Sequence, residues 1–87
     1  MILKNLEEQI IKTIEDYIFK MERFDFEGFE FMSYETGVFK FLSYEKELEL
    51  KTLIKFNPYN GDVLAVFEDD RETSWHIGTL KELHIHN

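Results

Sequence analysis

The chain has 87 residues, with eighteen acids against ten lysines and arginines, for a formal charge of −8. That length builds one hydrophobic core, read as a single domain over 1–87. The charge argues against direct binding to nucleic acid or an anionic membrane, since both demand positive surface. Cysteine is absent, which excludes disulfides and thiolate metal sites, and no apolar run is long enough to span a bilayer as a helix.

The segment "ILKNLEEQIIKTIEDYIFKMERF" reads as one amphipathic helix. At about 100° per residue, Leu3, Leu6, Ile10, Ile14, Tyr17, Ile18, Met21 and Phe24 share a broad face, with Ile11 at its edge. Lys4, Glu8, Lys12, Glu15, Asp16, Glu22 and Arg23 take the other side. Asn5 and Glu8 have the spacing of a capping box. Phe19 breaks the pattern, because it falls among the charges. Glu7 and Glu8 interrupt the N-terminus before any apolar run develops, so no signal peptide is read there and the expected location is cytoplasmic.

"FDFEGFEFMSYETGVFKFLSYE" at 24–45 holds six of the nine phenylalanines, and its period is two. The apolar set moves from even positions (Phe24, Phe26) to odd ones (Phe29, Phe31) across Gly28, which is therefore a turn or a bulge. Gly37 supports a reversal, and a second strand is expected over about 38–44. In "LELKTLIKF", Leu48, Leu50, Ile54 and Phe56 share one face and Glu49, Lys51 and Lys55 the other, with Leu53 as the exception. "NPYNGD" is a hairpin loop, and "DVLAVF" is apolar on both faces. Trp75 and Ile77 alternate as in a strand. The tail 79–87 fits either a short helix or a last strand.

These elements predict an α+β fold: one N-terminal amphipathic helix packed on a four- to five-stranded antiparallel β-meander. One helix covers one sheet face. Met32, Tyr34 and the two-sided 63–67 strand are expected to leave apolar surface on the other, for a partner, a second copy or the folded-back tail to cover.

The search for catalytic chemistry yields little. His84 and His86 would share a strand face, a spacing that two imidazoles can use for a metal, with His76 or the acidic loop as a third donor. Histidines so near a terminus hold metals weakly, and no metal or cofactor is assigned. Glu68, Asp69, Asp70 and Glu72 lack the spacing of a calcium loop. Ser74 and His76 lack a nucleophile elbow, and the four dispersed glycines form no phosphate loop. The expectation is a protein that is not an enzyme.

In charge, size and aromatic content the chain resembles small acidic inhibitory proteins: phage proteins that disarm bacterial defence nucleases, bacteriocin immunity proteins and DNA mimics. The resemblance is compositional and carries over no functional residue. It implies a non-catalytic inhibitor that docks on a basic, nucleic-acid-handling protein such as a nuclease. Candidate partner-binding residues are Phe19 as an aromatic anchor, with Glu22, Asp25, Glu27, Glu30, Glu35, Glu68, Asp69 and Asp70 as the acidic set. The alternative is a homodimeric assembly module joined through the uncovered sheet face.

Overall fold

The computed structural model describes residues 2–69 and 73–80, with side chains from residue 7 onward. Helix α1 spans Ile2–Phe19. Strands β1 (Phe26–Glu35), β2 (Val38–Glu45), β3 (Leu50–Phe56), β4 (Asp62–Phe67) and β5 (Ser74–Thr79) follow it. The strands form one antiparallel sheet in the order β1-β2-β3-β4-β5, each hairpin-connected to the next. The fold is α+β, a helix on a five-stranded meander.

The helix lays Ile10, Ile14 and Ile18, all buried, onto one sheet face. Beneath them lie Phe26, Phe39, Phe41, Ile54, Phe56, Val63, Ala65, Phe67 and Ile77. Every second residue of β2 and β4 is buried, and of β3 from Thr52 onward, as expected for a sheet covered on one side. Tyr17 reaches the β5 edge of the sheet. A Cβ on Gly78 would collide with its phenol, so glycine is what allows that approach.

The helix stops at Phe19, one turn short of the Phe24 that the periodicity predicts. Its end tightens: Lys20 N–H is shared between the Asp16 and Tyr17 carbonyls, and Met21 N–H bonds to Ile18. Phe24 then packs on Phe26 and Phe67, with ring centroids 5.5 Å away in each case. Its position in the helical pattern is coincidental, since the ring reaches the core from the linker.

Gly28 is a bulge and not a turn. It lies within β1 at φ +77°, where the register to β2 shifts between Glu27 and Glu30. Ser43 donates its hydroxyl to the Gly28 carbonyl at 2.7 Å, so this bulge carbonyl is satisfied. A second shift falls between Phe31 and Ser33. It corrects the placing of Tyr34, whose ring packs against Phe39 at 4.5 Å on the helix side of the sheet. Leu48 is also corrected: it sits in the 46–49 turn, half exposed, and not on the strand face.

Candidate protein-binding surface

The phenylalanine-rich segment is chiefly core. Phe29 stacks on Phe41 at 4.5 Å, Phe31 contacts Phe39 and Phe41, and Phe39 continues to Phe56. Phe19 extends this series at its rim, edge-on to Phe29 at 6.3 Å, and is 45% exposed.

The opposite sheet face has no covering element among the described residues. Its composition follows from the register. Lys40 pairs with Lys55 and then Leu64; Leu42 pairs with Leu53 and then Val66; Tyr44 pairs with Lys51. On β1 the matching positions are Ser33, Glu30 and Glu27. Met32, in the second bulge, projects here and is 51% exposed. It lines an open groove of about 380 Å³ with Leu42, Leu53, Val66, Lys51 and Glu68. A neighbouring groove of about 300 Å³ shares Leu42 and Lys51 and adds Glu27 and Glu30. Lys51 stands between the two grooves and is ion-paired to no described residue.

Three of the candidate acids therefore lie on the same sheet face but in two adjoining grooves: Glu68 lines the Met32 groove, and Glu27 and Glu30 line its neighbour, with Leu42 and Lys51 common to both. The others do not join them. Glu22 lies in a groove with Tyr17, Arg23 and Ile77, toward β5. Asp25 pairs with Lys46 at 3.5 Å. Glu35 is exposed at the far end of β1, and Phe19 belongs to the helix side of the sheet. Asp69 is exposed just beyond β4, while Asp70 lies outside the described residues.

Sequence reasoning anticipated apolar surface here from Met32 and the 63–67 strand, but missed the part that Leu42 and Leu53 contribute to the floor. Leu42, Leu53 and Val66 occupy the positions that alternate with the buried set, and Leu53 was visible only as a break in a pattern. Three apolar residues at the polar positions of three neighbouring strands were the available signal.

Two further clusters lie elsewhere. His76 Nε2 is 3.2 Å from Asp62 Oδ1 and 3.2 Å from Thr79 Oγ1, an exposed structural clasp between β4 and β5. His84 and His86 lie outside the described residues, and no cluster of metal-ligating side chains forms among those described. Tyr34 has its phenol pKa raised by partial burial, reinforced by a hydrogen bond to Tyr59 and by its charge.

No protein-family model, curated protein or solved structure matches this chain. No described helix is long and apolar enough to cross a membrane.

Proposed function

We propose that this protein is a non-catalytic, cytoplasmic protein-binding inhibitor that docks its uncovered sheet face on a basic, nucleic-acid-handling partner. The observation that carries the reading is the apolar groove of Met32, Leu42, Leu53 and Val66, with Glu68 and Lys51 in its lining and Glu27 and Glu30 in the adjoining groove that shares Leu42 and Lys51. Apolar centre and charged rim is the arrangement in which a few desolvated contacts supply affinity and surrounding charge sets encounter rate and orientation. The overall charge of −8 would add long-range attraction toward a basic surface.

The test is capture from a bacterial lysate at low and high salt, with the native chain beside Glu27→Lys/Glu30→Lys and Leu42→Lys variants. The reading expects a basic nucleic-acid-processing protein, held at low salt by the native chain, lost from both variants and inhibited when the native chain is added back. Retention of that protein by both variants would remove this face from the interface. Capture of no such protein would leave the homodimeric module as the better account.

A further inference from the structure

The two edges of the sheet differ in how they meet solvent. β1 carries two register shifts and the exposed acids Glu27, Glu30 and Glu35, all features that discourage another strand from pairing with it. β5 is "SWHIGT", with no lysine, arginine, acid or proline, and it carries a single register shift, at Ile77 against β4. Its one ionisable side chain, His76, is turned onto its own sheet by Asp62 and Thr79. Trp75, the only tryptophan, is 52% exposed on this edge. A strand that is uncharged, unpaired on its outer side among the described residues and marked by a half-exposed indole is an open template for strand addition.

We infer that β5 pairs antiparallel with β5 of a second copy, joining two meanders into one continuous ten-stranded sheet. A second copy fits because the contact is isologous and closes on itself, whereas β5 on β1 would propagate and would meet the acids and bulges of β1. The antiparallel arrangement brings the Trp75 end of each strand toward the Gly78 end of the other. By register both residues belong to the helix side of the sheet, Trp75 opposite Ala65 and Gly78 opposite Val63. Gly78 adds no side chain there, and Tyr17 of the second copy stands above it to cover the indole. Six residues and one ring per copy make a small interface, of the weak and transient class below about 1,200 Å². Each copy carries −8, so screening favours the dimer, and its population rises with salt. That is opposite to the salt response expected of docking on a basic partner.

The experiment is sedimentation velocity from micromolar to millimolar protein at low and high sodium chloride, with tryptophan emission followed in parallel. The native chain is compared with Trp75→Lys and Leu42→Lys, which make the same charge change at the β5 edge and on the open face. The expected result is a native dimer at high concentration, strengthened by salt and blue-shifted in emission. Leu42→Lys should keep it, and Trp75→Lys should lose it without a change in circular dichroism. A native chain that stays monomeric throughout, or a dimer abolished by Leu42→Lys and indifferent to Trp75→Lys, would overturn the inference. Neither outcome bears on capture of a basic partner by the monomer, so the two readings fail separately.

Discussion

Glu45 shows how far a residue's role can depart from its type. At the end of β2, in the charged run "YEKELE", it reads as one more surface acid, yet it is 1% exposed. One carboxylate oxygen accepts the Asp25 N–H at 2.5 Å and the other accepts the Leu48 N–H at 2.8 Å. The side chain thereby ties the linker after α1 to the β2–β3 turn, and Lys46 N–H adds a bond to the Asp25 carbonyl at 2.9 Å. Hydrogen bonds to a charged acceptor are the stronger kind, and a buried donor left unpaired costs about 1–3 kcal/mol. Glu45→Gln presents an amide NH₂ to one of the two donors, so it should destabilise the domain by an amount in that range. Glu45→Ala strands both donors and should cost more. Urea midpoints measure both, and a loss below about 0.5 kcal/mol for Glu45→Ala would mean that water replaces the carboxylate at no cost.

At the scale of elements, legibility depended on whether a change of pattern left a chemical mark. The first bulge in β1 was readable because the apolar set changes parity across a glycine. The second falls at Met32, between residues that any strand accepts, and nothing in the sequence flags it. Tyr34 was consequently assigned to the wrong face. The helix end was hidden for a related reason, since Phe24 satisfies the helical period while serving the core from a linker. The open face was foreseen in outline, but its groove depends on which residues three strands set side by side, and one strand's pattern does not contain that. The glycines allow a sharper test. Gly28 and Gly61 have nearly the same φ, +77° and +80°, but different surroundings. A Cβ on Gly28 meets nothing within 4 Å, whereas one on Gly61 would stand 2.6 Å from the Leu80 carbonyl oxygen. Gly28→Ala should therefore lose only the conformational term, about 1–2 kcal/mol. Gly61→Ala should lose that and also strain the Leu80 N–H to Gly61 carbonyl bond, now 2.7 Å, which fastens the end of β5. Equal losses from the two variants would show that the close approach relaxes freely.

For the whole molecule, the dominant electrostatic fact is self-repulsion. Between described residues Lys46–Asp25 is an exposed ion pair worth little, and the exposed His76–Asp62 contact is an ion pair only when the imidazole is protonated, so these two contacts do little to offset a formal charge of −8. Salt screens such repulsion over about 10 Å at 0.1 M, and it acts on the compact state more than on the extended chain. Added sodium chloride should accordingly raise the melting temperature of the free domain. Each 1 kcal/mol of relief is about 4–8 °C for a domain of this size. The Glu27→Lys/Glu30→Lys variant removes part of the repulsion and should respond to salt more weakly. If the proposed docking is correct, the same acids meet opposite charge in the complex, so salt weakens binding while it stabilises the free protein. Melting temperature by calorimetry and affinity by titration should then move in opposite directions across one salt series. A melting temperature that falls with salt would show that local attractions outweigh the net charge, and the acidic surface would lose its role as a store of repulsion relieved by a basic partner.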